Sequence, residues 1–181
     1  MQGNEIMHKP RLPPRVDLDD TVRTCASPPC GISEADPAYF GYWSKQEVLH
    51  FLTDLLESEN IGAKAYAAIG HAAELHVTDM AFESELAQGA ICILLKKEIA
   101  ARGGASSPRQ SKIVVVPNLR CGLEDVIGFA RWNQTKLSDM IEEAVLSISD
   151  SKLNAKLVYL LLLHRKQVEQ LDTFRAQMTC M

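Results

Sequence analysis

The sequence has no long hydrophobic segment. Its most apolar run, residues 157–163, is far shorter than the ~20 residues that a membrane-spanning helix requires. The first 14 residues lack the apolar centre of a secretory signal peptide. These two absences predict a cytosolic protein that does not associate with a membrane.

An excess of charge of either sign is also missing. The 181 residues include 19 basic and 23 acidic side chains, which give a net charge of -4 with both signs interspersed. The chain therefore has no basic stripe for the phosphates of a nucleic acid or for an anionic lipid surface. We expect no nucleic-acid partner.

The common catalytic and redox motifs are absent as well. The sequence contains no glycine-rich phosphate loop, no nucleophile elbow and no Cys-x-x-Cys pair. Its five cysteines do not have zinc-ribbon spacing, and a reducing compartment would keep them as free thiols. Cys25 and Cys30 are close enough in sequence to form a disulfide, to bind a partner together, or to be ordinary loop cysteines.

Proline is concentrated at the start of the chain, where six of the eight prolines lie within the first 40 residues. This segment has little hydrophobic periodicity, so residues 1–43 are predicted to form an extended, partly disordered arm. Phe40, Tyr42 and Trp43 are expected to anchor the arm to the rest of the protein. Exposed aromatics around residues 39–43 also predict a symmetric homodimer.

Apart from one long connection, residues 44–181 show the 3.6-residue periodicity of helices, which predicts an all-α four-helix bundle. Ser44 and Glu47 form a capping box at the start of the first helix. Gly70 and the pair Gly103 and Gly104 are typical helix ends. The predicted helices span residues 44–70, from about 78 to 103, from about 119 to 149, and from about 152 to 175.

A long connection separates the second predicted helix from the third. Residues 113–116 are β-branched, but a lone strand would have no partner to pair with, so we interpret them as an extended connection. About ten extended residues at roughly 3.3 Å each match a helix of about 30 Å. The sequence therefore predicts a crossover along the bundle between helices 2 and 3, in place of a tight turn.

Each predicted helix carries a polar residue in its apolar stripe, near the helix midpoint. These residues are Glu59, Gln88 with Cys92 one turn later, Asn133 and His164. Because midpoints of similar-length helices meet at one level of a bundle, the side chains should converge in a polar core layer. A buried carboxylate or imidazole needs a partner there.

Three segments resemble the ferritin-like superfamily, and within it a bacterial rubrerythrin-like group with a degenerate metal-site pattern: ASPPC at 26–30, DPAY at 36–39 and LLESENIGAK at 55–64. The resemblance spans residues 25–174 and implies a ferritin-like bundle. In that superfamily a glutamate from each of two helices and a Glu-x-x-His from each of the other two bind two metal ions. Glu59 and His164 match this pattern, whereas Gln88, Ile91 and Leu161 stand where it has Glu, His and Glu.

Three interpretations of the core layer stay open. It is a self-satisfied polar network of Glu59, Gln88, Asn133 and His164, or a single metal site, or a dimetal centre short of carboxylates. The single site would hold iron, manganese or zinc through Glu59, Cys92 and His164. The leading functional hypothesis is a non-catalytic accessory, ligand-binding or interaction protein with a protein partner. The alternative is an iron- or manganese-dependent redox enzyme, and whether the chain is an enzyme stays undecided.

Overall fold

The computed structural model describes residues 37–72, 75–105 and 122–179. In these ranges the chain forms a short 3-10 helix, Pro37–Phe40, and four α-helices, with no strand. They are α1, Lys45–Ala72; α2, Leu75–Ala101; α3, Leu123–Ser147; and α4, Ser151–Thr179. None of these helices is long and apolar enough to cross a membrane. The all-α four-helix prediction is confirmed.

The predicted capping box begins α1. The backbone N–H of Ser44 donates to Glu47 Oε2 at 2.7 Å, and the N–H of Glu47 points back to Ser44 Oγ at 3.3 Å. Each side chain therefore satisfies an N–H group that has no partner within the helix. The Ser44 hydroxyl also donates to Glu47 Oε2 at 2.7 Å, and this hydrogen bond, together with the one from the Ser44 N–H, lowers the pKa of Glu47.

Asp150 begins α4 in a similar way. Its Oδ1 accepts hydrogen bonds from the N–H groups of Lys152 and Leu153, at 3.0 and 3.1 Å. Its other oxygen accepts from Arg102, which follows the end of α2, at 2.6 Å. One carboxylate therefore caps α4 and joins it to the end of α2.

The directions of the helices follow from contacts between their ends. The N–H of Trp43, just before α1, donates to the carbonyl of Ser147 at the end of α3, at 2.8 Å. Gly104, just after α2, lies so close to Leu49 of α1 that an added β-carbon would be 2.8 Å from Leu49 Cδ2. Helix α1 is therefore antiparallel to both α2 and α3.

Since α2 and α3 run in the same direction, Ala105 and Gly122 lie at opposite ends of the bundle. Exposed ion pairs along α3 and α4, such as Arg165 with Glu142 at 2.9 Å, show that these two helices are antiparallel. This order is the one that the predicted crossover between helices 2 and 3 requires. The extended segment predicted at residues 113–116 lies outside the described residues.

The apolar core has two parts. One cluster fills the end of the bundle where α1 begins, with Leu52, Leu95, Leu137 and Leu157 among its fully buried side chains. The other fills the opposite end, around Tyr66, Ile69, Ile127 and Leu171. Between the two clusters lies a level of the bundle that is filled by polar side chains.

The start of the described chain corrects one detail of the predicted arm. Trp43 packs against Phe51, with ring centroids 5.4 Å apart. Phe40 and Tyr42 are exposed instead, so of the three predicted anchors only Trp43 packs against the bundle. Most of the arm over residues 1–43, including Cys25 and Cys30, lies outside the described residues.

Candidate functional site

All four helices contribute to the polar layer. Its members have no more than 3% of their surface exposed, and they are Glu59 of α1, Gln88 of α2, Asn133 and Gln134 of α3, and His164 and Gln167 of α4. Glu59, Gln88 and His164 lie in the apolar stripes of their helices, so their side chains point towards the core. The layer therefore contains one carboxyl group, one imidazole and four amides.

A carboxylate and an imidazole meet at the centre of this layer. Glu59 Oε1 lies 2.9 Å from His164 Nε2, and both side chains are fully buried. Neither atom has a hydrogen-bond partner within the described part of the chain. At this distance two unprotonated acceptors would repel each other, so one proton or one cation must lie between them.

Gln134 determines which nitrogen of His164 is free for that contact. Gln134 Oε1 lies 2.7 Å from His164 Nδ1. Because an amide oxygen only accepts hydrogen bonds, Nδ1 must carry a proton. Gln134 therefore leaves Nε2 as the ring nitrogen that faces Glu59.

Gln88 links α2 to the same group of side chains. Its amide has two orientations. In one, Nε2 donates to Gln167 Oε1 at 3.2 Å. In the other, Nε2 donates to the Glu59 carboxylate, Oε1 accepts from Gln134 Nε2 at 3.2 Å, and the Gln167 amide must turn so that its nitrogen faces Gln88 Oε1. We adopt the second orientation because it gives a donor to the buried carboxylate. It also leaves Gln134 Oε1 facing His164.

Close backbone packing makes room for these amides. Asn133 donates through Nδ2 to the carbonyl of Ser58 at 3.2 Å, which joins α3 to α1. A β-carbon at Gly62 would lie only 2.8 Å from the Gln88 amide atom that faces Glu59, which is Nε2 in the adopted orientation, 3.0 Å from Asn133 Nδ2 and 3.2 Å from Gln134 Nε2. The layer therefore depends on the absence of a side chain at Gly62.

Cys92 lies one turn after Gln88 but does not point at the central pair. Its Sγ is 3.6 Å from Asn60 Oδ1. Burial raises the pKa of the thiol to about 11, and the charge of Glu59 adds to the rise. Cys92 is therefore a protonated, buried thiol at neutral pH.

The residues present do not fit the two metal ions that a bundle of this kind can hold. Two divalent cations require about four carboxylates for charge balance, and the layer has only Glu59. Within the part of the chain that the structure describes, no three His, Cys, Asp or Glu side chains are arranged to hold a metal ion. We therefore derive no chemistry from a dimetal centre.

Four residues that the sequence indicated, Glu59, Gln88, Asn133 and His164, lie together in the layer. Cys92 lies beside it. The sequence reasoning missed Gln134 and Gln167, although a signal for Gln167 existed: it follows His164 by three residues, the spacing that places two side chains on one face of a helix. Gln134 had a weaker signal, because its neighbour Asn133 already occupied the inward position.

Comparisons with known proteins support the fold. No protein-family model and no curated protein sequence matches this chain. Among solved structures, the chain is similar to one described as "ferritin like, diiron-carboxylate proteins from Bacillus anthracis str. Ames". The TM-score is 0.62 and the sequence identity 13%, over 72% of this chain and 96% of that chain. At this identity the likeness concerns the fold alone.

Proposed function

Because the chain has the ferritin-like fold, we propose that it is a non-catalytic accessory or interaction protein whose polar layer stands where that superfamily carries its dimetal centre. The observation that carries the proposal is the composition of the layer, with four neutral amides around one carboxyl group and one imidazole. The proposal includes a cytosolic location, where a free thiol such as Cys92 stays reduced.

The amides favour a structural role for the layer. A buried polar network is stable without a metal when its members find partners inside it. Gln134 contacts both His164 and Gln88, and Asn133 is bonded to the backbone of α1. These side chains fill the middle of the bundle, so we place the binding function on the outer surface of the protein.

A single metal ion is the second candidate, favoured by the contact at the centre of the layer. Two ligands that are each about 2.1 Å from one ion lie roughly 3.0 Å apart at the 90° angle of octahedral geometry and about 3.4 Å apart in a tetrahedron. Glu59 Oε1 and His164 Nε2 are 2.9 Å apart. Cys92 would be the third ligand only if its thiol lost its proton and turned from Asn60 towards the pair. This alternative corresponds to an iron- or manganese-dependent redox enzyme, or to a zinc site.

Metal analysis of the full chain separates the two candidates. The protein is purified without an affinity tag, metal content is measured by mass spectrometry, and thermal unfolding is followed with and without a chelator. We expect far less than one metal ion per chain and an unchanged melting temperature. Stoichiometric metal that is lost in Glu59→Gln and kept in the surface control Glu143→Gln would contradict the proposal and support the metal site.

A further inference from the structure

The outer face of α2 carries a row of exposed apolar side chains. Phe82, Leu86 and Ile93 are 59%, 59% and 57% exposed. They follow one another at intervals of four and seven residues, which places them on one side of a helix. Single exposed apolar residues are common, but a row along one helix face is typical of an interaction surface.

Two opposite charges lie beside this row. Asp79 and Lys97 are exposed, and neither makes an ion pair with any other residue in the described ranges. They are separated by 18 residues, or five helical turns, so they lie on the same side of α2 at its two ends.

This arrangement is complementary to itself. If a second copy of α2 lies antiparallel to the first, with the two-fold axis midway between residues 79 and 97, Asp79 of each copy lies opposite Lys97 of the other. The same register places Phe82 near Ile93 of the second copy, and Leu86 over the small residues Gly89 and Ala90. A β-carbon at Gly89 would meet nothing within 4 Å in the single chain, so the second helix can approach closely.

We infer that the outer face of α2 is the interface of a symmetric homodimer, in which the two α2 helices pack antiparallel. In a two-fold dimer the same patch serves both subunits, and an antiparallel arrangement brings the same flank of each helix together. Two opposite charges can therefore pair across such a dimer only if they lie on the same flank of the helix. Asp79 and Lys97 do. This interface differs from the one that the aromatics at residues 39–43 suggest.

Helix α4 has a similar apolar patch, but the opposite charges beside it do not lie on one flank of the helix. Val158, Tyr159 and Leu162 are exposed on its outer face. The two opposite charges that flank this patch along α4 are Lys152 and Glu169. They are 17 residues apart and therefore about 100° apart around the helix. An antiparallel pair of α4 helices would not bring these charges together, which makes α4 a suitable control surface.

Sedimentation velocity of the full chain tests the interface. Wild type is expected to be dimeric at high micromolar concentration, Leu86→Glu monomeric, and Leu162→Glu dimeric. The two leucines are matched, with 59% and 60% of their surface exposed, so neither variant should unfold, and circular dichroism checks this. A monomeric wild type, or a dimer that survives Leu86→Glu, would overturn the inference, and the face would then belong to a different partner.

A charge exchange tests the register. Asp79→Lys and Lys97→Asp should each raise the dimer dissociation constant by roughly tenfold at low salt, because each creates two pairs of like charges. The variant that carries both changes should return towards the wild-type constant, since each charge again meets its opposite. A double variant that dimerises more weakly than either single variant would exclude the proposed antiparallel register.

Discussion

Replacing Gly62 with alanine should destabilise the protein, although the same change in the interior of a helix usually stabilises it. Gly62 lies within α1 with helical backbone angles, where alanine is normally favoured over glycine by about 1 kcal/mol. The added methyl group would lie 2.8 Å from the end of the Gln88 amide that faces Glu59, closer than real β-carbons approach. The polar layer must therefore shift to accept it.

The cost of that shift exceeds the gain in helix propensity. Moving that amide atom, which is Nε2 in the adopted orientation, to an ordinary contact distance requires roughly 0.6 Å and disturbs the hydrogen bonds that it donates to Glu59. Overpacking typically costs about 1–3 kcal/mol, and a buried polar group that loses its partner costs about as much again. We expect Gly62→Ala to lower the free energy of unfolding by about 1–3 kcal/mol.

Urea unfolding followed by circular dichroism measures this change. Gly128→Ala is the matched control, because Gly128 is a glycine within α3 whose added β-carbon would meet nothing within 4 Å. The control should gain up to about 1 kcal/mol of stability. If Gly62→Ala is as stable as Gly128→Ala, the amides do not pack against Gly62 and the described layer is wrong.

Three further results are expected. Glu59→Ala should cost about 3 kcal/mol in the same assay by leaving His164 buried without its partner, and replacing both residues with leucine should recover much of the loss; a neutral single change would mean that the pair does not support the core. Asp150→Ala should cost about 1 kcal/mol at neutral pH by removing the cap of α4. Burial raises the pKa of Asp150, but hydrogen bonds from the α4 backbone and from Arg102 lower it overall. A carboxyl group with a lowered pKa stabilises the fold above its unfolded-state pKa, so the advantage of wild type over the variant should decline as the pH falls from 3.8 through the lower folded-state value. Cys92, with its pKa raised to about 11, should react with a thiol reagent only after unfolding; rapid labelling of the native protein, mapped by mass spectrometry, would contradict its burial.

The number and approximate bounds of the helices could be predicted from the sequence because the signals are local. The capping box at Ser44 acts within one turn of α1, and Gly103, with a φ of 76°, ends α2 as a glycine commonly does. Periodicity predicted the buried face of α3, including Val126 and Ile141. It did not define a single face for α2, because that helix has apolar residues on both its inner and outer sides.

The sequence by itself also determined that Glu59 and His164 lie in apolar stripes near helix midpoints, since that depends only on counting residues along each helix. Which atoms meet depends on residues distant in sequence, and only the tertiary structure decided it. Gln134 holds His164 Nδ1 and leaves Nε2 to Glu59. The Cys92 thiol faces Asn60 of α1 instead of the central pair, because four residues correspond to about 400° of helix, so that Cys92 is turned by about 40° relative to Gln88.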